Sequence, residues 1–180
     1  MKGVVFTEFL EMVESRFSAD MVDDIIDDAK LPSGGVYTAV GTYPHEEIVA
    51  LVVALSQRSG TAVRDLLLAF GEHLFGRFVV GYPTFFGSTS DAFTFLAGIE
   101  DIIHREVHKL YPDAELPRFD VEQHDDRQLT LLYDSRRHFE DLAEGLMRGC
   151  IAYFGGGIAI ARSVVGDGES RKERFVLTRT

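Results

Sequence analysis

The chain has 180 residues, 46% of them hydrophobic, enough for one domain with a substantial core and a tight fit for two. Its formal net charge of −11, with carboxylates crowded early at Asp20, Asp23, Asp24, Asp27 and Asp28, argues against binding to nucleic acid or an anionic membrane. One cysteine, Cys150, excludes an intrachain disulfide and a Cys-rich zinc site.

No run of about 18 uncharged apolar residues is present, as a membrane-spanning helix would need. The N-terminus is patterned as a helix carrying Glu8, Glu11 and Glu14, unlike a signal peptide. A soluble, cytoplasmic protein is expected.

In chain order, Val5, Phe6, Phe9, Leu10, Val13 and Phe17 recur at three- and four-residue steps and predict an amphipathic helix over 2–17. Ser18 is placed to cap a second helix carrying Val22, Ile25, Ile26 and Ala29, which Pro32 and Gly34-Gly35 end. A third helix over 44–59 starts with Glu46 and Glu47, ends at Gly60 and is apolar nearly all round, hence expected to be well buried. Thr61 is positioned to cap a fourth, with Val63, Leu66, Leu67, Phe70, Leu74, Phe75 and Phe78. After a loop over 81–89, Ser90 is expected to cap one continuous helix from Asp91 to about Leu110.

The pattern then changes. Residues 118–124 and 128–137 read as strands around Asp125-Asp126-Arg127, and 158–165 and 173–178 as a second hairpin across Gly166-Asp167-Gly168. Between them Phe139, Leu142, Leu146, Cys150 and Phe154 mark a helix stripe ended by Gly155-Gly156-Gly157. Helices first and a mostly antiparallel four-stranded sheet second predict an α+β fold.

Two stretches carry chemistry. In an extended strand Tyr133, Ser135 and Arg137 share one face, offering a phenol, a hydroxyl and a guanidinium to anionic oxygens. Such a face is more often simply solvated. On the 91–110 helix, His104 lies along the side shared with Phe93, Leu96, Ala97 and Val107. A histidine there is ordinarily a buried residue satisfied by a hydrogen bond. His104 and His108 are also spaced as an i, i+4 metal pair, but Arg105 stands where zinc enzymes carry glutamate. The Gly166-x-Gly168 turn lies in a hairpin, the wrong setting for a phosphate loop, and no catalytic constellation is found.

His104 on its helix, Tyr111-Pro112, Pro117 thirteen residues after His104, and the Tyr133-x-Ser135-x-Arg137 signature occur in one order. In these features the chain resembles the haem nitric oxide/oxygen binding (H-NOX) family, which includes the sensor domain of soluble guanylate cyclase. The likeness runs from Met1-Lys2-Gly3-Val4-Val5-Phe6 to the final strands.

The resemblance implies a single H-NOX-type domain over 1–180, with a distal helical part over about 1–60, a proximal helix and sheet part over about 61–180, and haem b between them. It implies His104 as the iron ligand, Tyr133, Ser135 and Arg137 on the propionates, Pro117 pressing the macrocycle from planarity, and Leu142 and Val5 among the pocket residues. Oxygen-binding relatives carry a distal tyrosine five residues beyond the clamp arginine and three before a glycine. That position here is Leu142, which cannot donate a hydrogen bond.

The expectation is a gas sensor for nitric oxide, and carbon monoxide, that discriminates against oxygen and signals by release of His104. Its partner is expected to be a separate histidine kinase or diguanylate cyclase, since the sequence carries no such segment of its own. The alternatives are an oxygen or redox sensor with another distal donor, a haem-free interaction module, and a small metal-dependent enzyme using His104 and His108. Zinc- or thiol-based sensing, known in some relatives, is not implied, because 162–180 holds neither histidine nor cysteine.

Overall fold

The computed structural model describes residues 1–87 and 89–180, apart from the Glu169 side chain. It divides into two compact units, Met1–Arg77 with Asp141–Leu146, and Phe78–Glu140 with Met147–Thr180. The order is helices first and an antiparallel sheet second, as the sequence predicts.

In the first unit, α1 (Gly3–Arg16) buries Phe6, Phe9, Met12 and Val13. Its start is pinned where an isolated bridge joins Lys2 to Thr42. A Cβ on Gly3 would stand 1.9 Å from the Thr38 carbonyl oxygen. In α2 (Ala19–Ala29) the Ser18 hydroxyl accepts from the Met21 amide at 3.1 Å, the expected cap. Lys30 ends α2 in the left-handed region.

The third helix, α3 (His45–Ser59), ends at Gly60 with φ 71°, a conformation glycine adopts without strain. Contrary to the all-round apolar reading, Val49 and Val53 are exposed, while Glu47 is buried. The Glu47 carboxylate accepts from Ser33 and from the Tyr37 hydroxyl, the latter at 2.7 Å, which makes burying its charge tolerable. Arg58 ties α3 to Asp24 and Asp28 of α2, each at 2.5 Å.

The fourth helix, α4 (Val63–Gly81), begins two residues past Thr61, with the Leu66 amide bonded to the Ala62 carbonyl. Ala62 rather than Thr61 therefore flanks its first turn.

In the second unit, a short 3₁₀ turn (Pro83–Phe85) occupies part of the expected loop. Ser88, read as part of that loop, lies outside the described residues. The expected continuous 91–110 helix is interrupted. It comprises α5 (Ala92–Ala97), a π-helical turn (Glu100–His104) and α6 (Arg105–Leu110). Its cap is Asp91, not Ser90: the Asp91 carboxylate accepts from the Thr94 amide and hydroxyl, each at 3.0 Å.

The sheet runs β1-β2-β4-β3, from β1 (Arg118–His124), β2 (Gln128–Asp134), β3 (Ile158–Val165) and β4 (Lys172–Arg179), all pairings antiparallel. Both hairpins form as expected, and β2 pairs with β4 to join them. One face of this central pair is buried, with Leu129 opposite Leu177, Leu131 opposite Phe175 and Tyr133 opposite Glu173. The register shifts between Val121 and Gln123 of the edge strand β1.

The last helix, α7 (Glu140–Tyr153), contributes residues to both units. Its buried positions include Leu142, Ala143, Met147, Cys150 and Ile151, while Leu146 and Phe154 are only half-buried. Gly155, Gly156 and Gly157 follow it, all with positive φ.

Candidate haem site

His104 closes the π turn. There the Arg105 amide donates to the Glu100 carbonyl, five residues back, so the helix widens by one residue. Such turns recur at functional sites. The widening breaks the 3.6-residue spacing on which the shared side with Phe93, Leu96 and Ala97 was reckoned. The His104 side chain is 12% exposed, and its Nδ1 lies 3.0 Å from Glu100 Oε1.

An ionised carboxylate only accepts, so Nδ1 is the donor and Nε2 keeps the lone pair a metal requires. Burial pulls the His104 pKa below the ordinary histidine value against the opposing pull of Glu100, which favours the neutral, ligating form. His108, one turn on, is exposed.

The polar clamp is assembled differently from the expected flat strand face. β2 stops at Asp134, so only Tyr133 is on the strand, while Ser135 follows it and Arg137 lies in the next turn. Hydrogen bonds bring the three together: the Ser135 side chain bonds to the Tyr133 phenol, and Ser135 Oγ accepts from the Arg137 amide at 3.2 Å. Tyr133 is 3% exposed, and burial pushes its phenol up to about 12 despite the Ser135 bond. The Arg137 guanidinium donates to the Glu115 carbonyl at 3.1 Å and to the Glu115 carboxylate at 2.5 Å.

Phe119 joins the histidine to the clamp. Its ring lies 6.1 Å from the His104 ring and 5.2 Å from that of Tyr133, centroid to centroid. Pro117 is half-buried and directly precedes β1. His104, Pro117, Tyr133, Ser135 and Arg137 thus all belong to the second unit.

Leu142 and Val5 belong to the first unit. Leu142 is buried on α7, and Val5 is half-buried on α1. In the same unit Phe9 and Phe70 are fully buried and meet edge to face at 5.2 Å.

Glu100, Phe119 and Glu115 escaped the sequence reading. A carboxylate four residues before the helical histidine was a visible signal for Glu100. The other two depend on tertiary contacts. Among the described residues no helix is long and apolar enough to cross a membrane.

A half-buried imidazole whose Nδ1 is bonded to Glu100, joined through the Phe119 ring to a phenol, a hydroxyl and a guanidinium, is a donor set that fits haem. Fold and site together define a haem-binding sensor domain. The chain belongs to the Haem-NO-binding family, whose profile matches residues 2–162. H-NOX domains are sensor domains, generally not enzymes themselves.

Among solved structures, the chain is similar to the unliganded Fe(II) H-NOX protein from K. algicida, at 38% identity and a TM-score of 0.93, covering 100% of this chain and 97% of that one. It is similar to the IWP-051-bound Fe(II)CO H-NOX from Shewanella woodyi at 38% identity and a TM-score of 0.86, covering 100% and 95%. It is also similar to the Fe(II)CO H-NOX domain from Shewanella oneidensis at 25% identity and a TM-score of 0.88, covering 100% and 99%. A search of curated proteins returned no significant match.

Proposed function

We propose that this chain is a haem b sensor of nitric oxide, with carbon monoxide as a second ligand, that discriminates against oxygen and signals to a separate protein. The observation that carries the reading is His104, half-buried with Nδ1 taken by Glu100 and linked through Phe119 to Tyr133, Ser135 and Arg137. The family match supports the ligand class, and the carbon monoxide complex of the S. woodyi relative supports the second ligand.

Bound haem would supply an iron centre able to take a diatomic gas. His104 would hold the iron through Nε2, the bond that nitric oxide would weaken. Tyr133 and Ser135 would donate from their hydroxyls to the propionates, and Arg137 would add a positive charge. Pro117 would press on the macrocycle. Leu142 and Val5 would furnish apolar wall, with no donor that would favour polar bound oxygen.

Were His104 released, the turn that carries it would be freed, giving two arrangements that the gas would bias. The division of labour is a distal helical part and a proximal helix and sheet part of one domain. The output partner is a histidine kinase or diguanylate cyclase, and the setting is the cytoplasm.

The test is to express His104→Gly and Arg137→Ala beside the parent chain and measure haem retained after gel filtration. The reading expects His104→Gly to lose iron ligation, restored by added imidazole, and Arg137→Ala to shed haem faster. Retention of an unaltered ferrous spectrum by His104→Gly would refute it.

A further inference from the structure

One oxygen of Glu100 holds two groups from different elements. Oε1 lies 3.0 Å from His104 Nδ1 and accepts the Phe119 backbone amide at 2.8 Å. Phe119 is the second residue of β1, two residues after Pro117. Because β1 is an edge strand, with β2 on one side only, amides on its other side need an acceptor from elsewhere. Glu100 provides one. The carboxylate therefore fastens the histidine ring to the start of the sheet.

Resting on the haem reading above, we propose that Glu100 is a positioning residue with two tasks. It fixes His104 as the Nδ1–H tautomer and, by its charge, makes Nε2 a stronger donor to iron. It also joins the π turn to the Pro117–Phe119 segment, so that a movement of His104 is felt at β1. Two independent bonds on one atom carry this, and the π turn explains how Glu100 reaches both. Its side chain stays 40% exposed, so the link can open without breaking a buried core.

Glu100→Gln keeps an accepting oxygen and removes the charge. Glu100→Ala removes both. In the haem-free chain, imidazole nitrogen NMR shifts report the His104 tautomer, and amide hydrogen exchange reports the Phe119 bond. The expected results are an Nδ1–H tautomer in the parent and the Gln variant, a mixture in the Ala variant, and Phe119 exchange about tenfold faster in the Ala variant, as losing one hydrogen bond implies. In the reduced, haem-loaded chain, the iron–histidine stretching frequency is expected to fall in Glu100→Gln and further in Glu100→Ala.

A parent tautomer carrying the proton on Nε2, or Phe119 exchange indifferent to Glu100→Ala, would overturn the clamp. An unchanged stretching frequency would overturn the effect on iron. Failure of the parent to bind haem would count against the functional reading, while NMR and exchange still decided the Glu100 contacts.

Discussion

Gly71 of α4 and Gly145 of α7 meet so closely that a Cβ on Gly145 would stand 2.9 Å from the Gly71 Cα and 2.3 Å from the Leu68 carbonyl oxygen. Both obstacles are backbone, which cannot swing aside. Gly145→Ala is therefore expected to lower stability by about 1–3 kcal/mol, the usual cost of overpacking. Urea unfolding would check this, and a midpoint unchanged from the parent would show that the helices separate at little cost.

The same contact sets the backbone beside Leu142, since a Cβ on Gly71 would lie 2.5 Å from the Leu142 carbonyl oxygen. If Leu142 lines the distal wall as proposed, Leu142→Tyr supplies the missing donor. The expected outcome is oxygen affinity raised at least about tenfold, corresponding to one added hydrogen bond, with nitric oxide binding retained. Oxygen titration of the reduced protein measures it.

Much of the fold was legible because local signals and tertiary packing agree. Ser18 caps α2, Gly60 ends α3, and both hairpins form where their turns were read. The failures share a cause, which is that local rules assume regular geometry. A 3.6-residue period cannot announce the π turn at Glu100–His104, and strand alternation could not foresee β2 stopping at Asp134.

Ser90 and Asp91 were equally good caps by type. The choice fell to Asp91, which also pairs with Arg179 from the far end of the chain. For the site, His104 and the Tyr133-Ser135-Arg137 spacing marked the candidate residues in the sequence. The links between them, Glu100 and Phe119, arise only when β1 comes beside the helix.

The Asp91–Arg179 pair also has a pH consequence. Burial pushes the Asp91 carboxyl up, but Arg179 at 2.5 Å and the Thr94 bonds outweigh it and hold the carboxyl below its usual range. A depressed folded pKa means stability that is present above the unfolded value near 3.9 and lost as pH falls through the folded one. Asp91→Asn should thus flatten the acid limb of the stability profile below about pH 4. Asp91→Ala should cost about 1 kcal/mol at neutral pH through the lost cap. Thermal melts across pH 2.5–7 would check both, the expected sign being that the parent loses more than the Asn variant on acidification.

Arg137 is held by Glu115 in this structure, yet the functional reading assigns its guanidinium to a propionate. Glu115 is largely exposed, so the pair should exchange readily. Glu115→Gln is expected to speed haem uptake by the haem-free chain while Arg137→Ala slows it. Stopped-flow absorbance would resolve the two, and equal rates in parent and Glu115→Gln would mean that Glu115 does not compete.

The most direct test of the central claim is the absorption spectrum of the reduced protein, taken anaerobically, then in air, then with nitric oxide. The expected result is a haem band that ignores oxygen and shifts with nitric oxide to a five-coordinate form, in which His104 has let go. A stable oxygen complex in air, or a nitric oxide complex that keeps the histidine bond, would contradict it.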